Sequence, residues 1–378
     1  MKVITIFGTR PEAIKMCPLI LQLKKTKQIE CVVCLTGQHR EMLRQVMDVF
    51  AVQGDYNLDI MRENQTLSSI TVDILDRLGD VLEREKPDLI LVHGDTTTSF
   101  AAALAGFYHN IPVGHVEAGL RTYDMHSPYP EEFNRQAVDL ITNFYFAPTE
   151  QARQNLLKEG KEDDRIYVTG NTVIDALATT IQEDYYNEHL DWAKDSRLIL
   201  MTAHRRENIG EPMGHMFQAV KRILLEHRDV KVIYPVHKNP KVRKTAQEIL
   251  GDMERVRLIE PLDVIDFHNF MAQSYLILTD SGGVQEEAPF LGKPVLVMRD
   301  TTERPEGLEA GTLKLVGTEE EKIYQEVNRL LVDQSMYSRM SRAVNPYGDG
   351  HASERIVQAI ITYDRGKNGR EDGRQDYA

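Results

Sequence analysis

The feature that most constrains the fold is an alternation that runs the length of the chain. Continuously apolar runs of three to five residues are separated by longer stretches with helical periodicity, such as 68–84 and 149–159. The apolar runs fall at 3–7, 31–35, 89–93, 113–116, 144–147 and 166–169, then at 198–202, 232–235, 256–258, 276–279 and 295–297. A strand that is apolar at every position is buried on both faces, and strands alternating with helices predict parallel sheets covered on both sides. Eleven such strands exceed one comfortable sheet. The chain therefore reads as α/β, with two Rossmann-like, doubly wound parallel-sheet domains. The expected spans are 1–170 and 171–354, with the boundary in "GNTVIDAL". A last helix, about 355–368, is expected to pack back on the first domain. The charged, Gly-rich residues 369–378 read as a tail.

Composition removes several function classes. The formal net charge of −13 argues against a general nucleic-acid or acidic-membrane binder but leaves room for a local basic pocket. Three cysteines, Cys17, Cys31 and Cys34, make no disulfide framework. Cys31 and Cys34 resemble a redox pair, yet on a strand they point to opposite faces, so core packing is expected. The first apolar run is too short for a signal peptide. No stretch approaches the roughly 20 apolar residues of a membrane span. A cytoplasmic protein is expected.

In open parallel sheets, ligands bind beyond the carboxyl ends of the strands, so the residues after each run are the candidates. Gly8-Thr9-Arg10-Pro11-Glu12 follows the first run, with Arg10 and Lys15 at or near the mouth. Asp95 follows the third and Glu117 the fourth. Asp95 could equally cap a helix. Glu131 and Glu132 open a later helix, where charge and helix dipole alone would suit them. In the second half, His204 and Arg205 follow one strand, and His237 and Lys238 another. Ser281, Gly282 and Gly283 form a turn that can present N–H groups to a phosphate, while Glu286 and Glu287 would repel it. A carboxylate there is useful if it accepts from the two hydroxyls of a ribose, so the turn reads as a nucleotide site, with Arg304 neutralising a second phosphate. The alternative is a Gly-Gly turn whose glutamates serve the helix dipole. Gly348-Asp349-Gly350-His351-Ala352-Ser353 follows no strand and fails as a dinucleotide fingerprint. There is no P-loop, HExxH or D-x-D pair, so no metal and no cofactor are expected.

Taken together, "FGTRPEAIKMCPL", "VHGDTTT", "GHVEAGLRT", "PEEFNRQ", "TAHRREN" and "TDSGGVQEEAPFLGKPVLVMRDTTERPE" resemble the non-hydrolysing UDP-N-acetylglucosamine 2-epimerases of bacteria. The resemblance runs from about residue 2 to about residue 360, in order. It implies a GT-B type fold with an interdomain cleft, a homodimer, and interconversion of UDP-GlcNAc and UDP-ManNAc. The C2 proton is not beside a carbonyl, so an elimination through 2-acetamidoglucal suits the residues. Asp95, Glu117 and Glu131 would serve as acid/base groups. Arg10, Arg304 and the 281–283 turn would hold the departing diphosphate. The resemblance further puts His204 near the diphosphate, Glu287 on the ribose and Phe267 by the uracil. A GT-B glycosyltransferase, a non-catalytic UDP-sugar sensor and a hydrolysing relative are the rival readings.

Some family members hold a second UDP-GlcNAc as an activator. The matching positions are Gln38, Gln65, Glu131, Arg205 and His237, with His39 close by. Glu41 stands where the pattern has Gln, and Asn64 where it has Arg. Both changes weaken anion binding, so weak dependence on an activator is expected.

Overall fold

The computed structural model describes residues 1–37, 40–62, 65–302 and 304–372, with backbone alone for 40–42 and 365–372. Thirteen strands are present among these residues: β1 Lys2–Phe7, β2 Glu30–Leu35, β3 Tyr56–Asn57, β4 Leu89–His93, β5 Val113–Val116, β6 Phe144–Ala147, β7 Ile166–Val168, β8 Arg197–Thr202, β9 Val230–Pro235, β10 Val256–Ile259, β11 Leu276–Thr279, β12 Val295–Val297 and β13 Leu313–Leu315. They form two wholly parallel sheets, ordered β3-β2-β1-β4-β5-β6-β7 and β10-β9-β8-β11-β12-β13. The expected α/β class with two doubly wound sheets is what the chain adopts. All eleven expected strands are present. The two others, β3 and β13, lie at sheet edges and have two and three residues.

The chain divides into two compact units, residues 1–179 with 348–378, and residues 180–347. The first therefore extends past the expected boundary at residue 170, for a local reason. The helix Thr172–Thr180 carries Asp175, whose carboxylate accepts the backbone N–H groups of Ala352 (3.1 Å) and Ser353 (2.7 Å). That carboxylate caps the start of the returning helix Ala352–Asp372 and holds both helices in one unit. The returning helix also runs past residue 369, where a tail was expected. Residues 373–378 of that tail lie outside the described residues.

In the first unit, β4 and β5 are buried at every position, as their apolar runs require. Ile4, Ile6, Ile90 and Val92 pack on Ile74, Leu78 and Ala101–Ala103 of the covering helices. In the second unit, Met201, Val232, Tyr234 and Leu278 pack on Met216, Phe217 and Val220. Strand order reverses beside β1 in the first sheet and beside β8 in the second. The loops after β1, β4 and β5, and those after β8, β11 and β12, are thus the places where a ligand is expected. The three cysteines are buried or half-buried, and burial pushes each thiol up to about 12. Such thiols are packing residues rather than nucleophiles.

Candidate active site

The first unit builds its strand-end loops around buried carboxylates. Thr9 caps the helix Arg10–Lys25 in a capping box with Glu12, whose Oε2 accepts the N–H groups of Thr9 (2.7 Å) and Gly8 (3.0 Å). Its Oε1 accepts the hydroxyls of Thr96 (2.6 Å) and Ser99 (3.2 Å). Glu12 therefore ties the loop after β1 to the loop after β4, and its burial pushes its pKa up. Arg10 is half-buried at the start of the same helix.

Glu117, directly after β5, is held in the left-handed region at φ 67°, a conformation disfavoured by about 1–2 kcal/mol for a residue with a side chain. Its own N–H and that of Ala118 both donate to the carbonyl of Phe146 at 3.1 Å, which fixes the turn. The carboxylate receives the Lys15 ammonium and, at 2.9 Å, the Asn171 side-chain amide. Lys15, expected at the mouth, is thus engaged by Glu117. Gly94 turns beside it at φ 64°, in the left-handed region that glycine adopts without strain.

Asp95 faces Arg135, which donates Nε (3.0 Å) and Nη2 (2.7 Å) to its Oδ2. Asn134 donates to its backbone carbonyl at 2.8 Å. Both partners come from the helix Glu131–Ile141, in the motif "PEEFNRQ". The two glutamates of that motif differ sharply. Glu132 is fully buried and accepts the N–H groups of Thr122 and Tyr123, both at 3.0 Å, and the Gln136 amide at 2.8 Å. Glu131 is half-buried at the first helical position. Beneath them, His115 Nε2 donates to the Gly94 carbonyl at 2.8 Å and its Nδ1 lies 2.6 Å from Asp139. Asp139 also accepts from Arg121 at 2.6 Å. Burial opposes ionisation of Asp139, yet His115 and Arg121 outweigh it and hold the carboxyl below its ordinary range.

In the second unit the organising residue is Asp280, which the sequence reading passed over. Fully buried after β11, it accepts the N–H groups of His204 and Arg205 at 2.9 Å each, and the Asn208 amide at 3.1 Å. Its other oxygen lies 3.3 Å from His204 Nδ1. Burial lowers the His204 pKa, against the pull of Asp280. The His204 ring stacks with that of His237, centroids 5.9 Å apart. Arg205 Nε donates to the Asp280 carbonyl at 3.0 Å.

The turn Ser281-Gly282-Gly283 leads into the short helix Gly282–Glu287, with Ser281 N–H on the Thr279 hydroxyl at 2.9 Å. Glu286 is not left to repel an anion. Glu286 is buried and paired with Arg304, and Glu287 lies 3.4 Å from His268 Nε2. Arg304 is thus anchored from behind rather than standing alone in the loop. Phe267 is half-buried next to His268, so its helix borders the short helix at Glu287. Of the positions matched to a second nucleotide, Gln65 donates to the Ile60 carbonyl in the first unit, while Arg205 and His237 belong to the second. Gln38, His39 and Asn64 lie outside the described residues. Among the described residues, no cluster of His, Cys, Asp or Glu could hold a metal ion, and no helix is long and apolar enough to cross a membrane.

The sequence pattern of the family described as UDP-N-acetylglucosamine 2-epimerase matches residues 21–361. A UDP-N-acetylglucosamine 2-epimerase of Bacillus subtilis is 61% identical over 361 residues, covering 96% of this chain and 95% of that one. That of Escherichia coli K12 is 52% identical over 369 residues, covering 95% and 98%. The crystal structure of UDP-GlcNAc 2-epimerase from Neisseria meningitidis bound to UDP-GlcNAc superposes with a TM-score of 0.87 at 49% identity, over 96% of this chain and all of that one. Matched by the family pattern over most of its length and by its members almost end to end, the chain belongs to the UDP-N-acetylglucosamine 2-epimerase family.

Proposed function

We propose that the protein interconverts UDP-GlcNAc and UDP-ManNAc by elimination and re-addition. A carboxylate takes the C2 proton. The electron pair left behind forms the C1–C2 double bond as the C1–O pair departs with UDP, giving 2-acetamidoglucal. The diphosphate then adds back to C1 while a proton returns to C2 from the other face.

The observation that carries this reading is a pair of carboxylates, Asp95 and Glu117, at the carboxyl ends of the neighbouring strands β4 and β5. Each is held by named donors, with Glu131 opening the helix that supplies the partners of Asp95. Proton removal on one face and return on the other calls for more than one such group. Departure of the diphosphate calls for donors and positive charge, which suits Arg10, Lys15, His204, Arg304 and the Ser281–Gly283 turn. Glu287 would accept from the ribose and Phe267 would border the uracil. Relatives solved with UDP-GlcNAc, or with UDP-GlcNAc and UDP, support the choice of substrate. The working form is a homodimer, and the product supplies ManNAc for cell-surface polysaccharide.

The test is incubation with pure UDP-GlcNAc, followed by separation of the products after rapid quenching. UDP-ManNAc should accumulate, with 2-acetamidoglucal and UDP present together in small amounts. Release of UDP with free sugar as the sole product would overturn the reading in favour of hydrolysis.

A further inference from the structure

His93, the last residue of β4, is 4% exposed, and neither ring nitrogen has a hydrogen-bond partner among the described residues. Buried polar atoms are paired in the great majority of cases, so two orphans on one ring need a reason. The ring lies against Glu117, with Nε2 3.8 Å from Oε2, beyond hydrogen-bonding distance. The groups facing it are Glu117 from the loop after β5, Lys15 from the helix Arg10–Lys25, and His115 from β5. Burial disfavours the charged ring most strongly. Glu117 opposes that effect, while Lys15 and His115 add to it, and the ring's pKa falls to about 3. His93 is therefore a neutral imidazole at physiological pH, with one N–H to give.

We propose that His93 is a positioning residue for Glu117: with its proton on Nε2, it holds an uncharged donor 3.8 Å from Oε2, which closes to a hydrogen bond as the carboxylate is aimed at the reacting carbon. The proposal rests on the reading of Glu117 as an acid/base group. Its chemical logic lies in the contrast with Lys15. An ammonium on the same oxygen favours the ionised carboxylate and weakens it as a base. A neutral N–H orients it with a smaller loss of basicity. The donor sits on a strand that is buried at every position, so its placement is rigid.

The test combines His93→Leu, His93→Gln and ¹⁵N NMR of histidine-labelled protein. His93→Leu should lower kcat by about 10- to 100-fold, the size of one lost hydrogen bond to a charged group, with little change in KM. The acid limb of its pH–kcat profile should move up, because the Glu117 carboxylate has lost a donor. His93→Gln, which restores an N–H, should recover most of kcat and the original limb. In the native protein the His93 ring should remain the neutral Nε2–H form near neutral pH. Native kcat and pH profile in His93→Leu, an Nδ1–H form, or a charged ring near neutral pH would each overturn the proposal. If His93→Leu does not fold, the glutamine variant and the NMR form of the native ring still decide it. Failure of the Glu117 reading itself shows separately, as full turnover in Glu117→Gln.

Discussion

Glu286 and Arg304 form a largely buried ion pair in the second unit, with Nε and Nη2 of the guanidinium each 2.8 Å from one carboxylate oxygen, Oε1. This relationship explains why a Gly-Gly turn suited to anions leads into two glutamates. Glu286 holds Arg304 against the turn, where a β-carbon on Gly282 would come within 3.4 Å of the guanidinium carbon. Removing one partner of such a pair leaves an uncompensated charge. Glu286→Ala should therefore lower denaturant stability by about 3–5 kcal/mol. Arg304→Ala should in addition weaken UDP binding at least tenfold by calorimetry. Unchanged UDP affinity in Arg304→Ala would make the arginine purely structural.

The neighbouring glutamates of "PEEFNRQ" should separate by phenotype. Asp95→Asn, Glu117→Gln and Glu131→Gln should each lower kcat by about 10²–10⁴, the usual loss for an acid/base group. Glu132→Gln should instead lower stability, because its carboxylate holds the Thr122 and Tyr123 N–H groups. Steady-state kinetics and unfolding curves on the four variants check this. Raised KM with native kcat in all three of the first group would contradict the assignment.

Acid stability should carry the signature of Asp139. Its folded pKa is below the unfolded value, so the stabilisation is complete above the unfolded pKa of about 3.9 and is lost as pH falls through the lower folded one. Asp139→Asn lacks this contribution. The gap in unfolding free energy between native protein and variant should be constant from neutral pH to about pH 5, then shrink below about pH 4. A gap independent of pH would show that Asp139 does not ionise differently in the two states.

Turnover of UDP-ManNAc should depend weakly, or not at all, on added UDP-GlcNAc. In the set that resembles a second nucleotide site, Asn64 stands in place of a favourable positive charge and Glu41 adds a negative charge that repels a diphosphate. Arg205, a member of that set, has its Nε on the Asp280 carbonyl. The reverse reaction, started from UDP-ManNAc freed of its epimer, reads this directly. A long lag abolished by micromolar UDP-GlcNAc would contradict it.

The sheets were legible because burial on both faces leaves an unbroken apolar run, and this singled out eleven strands. Tyr56–Asn57 and Leu313–Leu315 escaped because strands so short, at an edge, need no such run. The strand-end rule led to Asp95, Glu117 and the 281–283 turn from sequence alone. It reaches Asp280 by position, directly after the run 276–279, but it could not reveal the role of Asp280, of Glu132 or of the His115–Asp139–Arg121 chain. Their roles depend on partners such as His204, Thr122 and Gly94, brought close by the fold rather than by spacing along the chain. The orphaned ring of His93 was invisible for the same reason. A polar residue ending an apolar strand says nothing about which of its atoms lack partners.

The most direct test of the central claim is incubation with UDP-GlcNAc in D2O, followed by proton NMR of the sugar at C2. If C2 is deprotonated and reprotonated on carboxylates in exchange with solvent, deuterium should appear at C2 of both UDP-ManNAc and recovered UDP-GlcNAc. Interconversion with the C2 hydrogen fully retained in both sugars would contradict the elimination route.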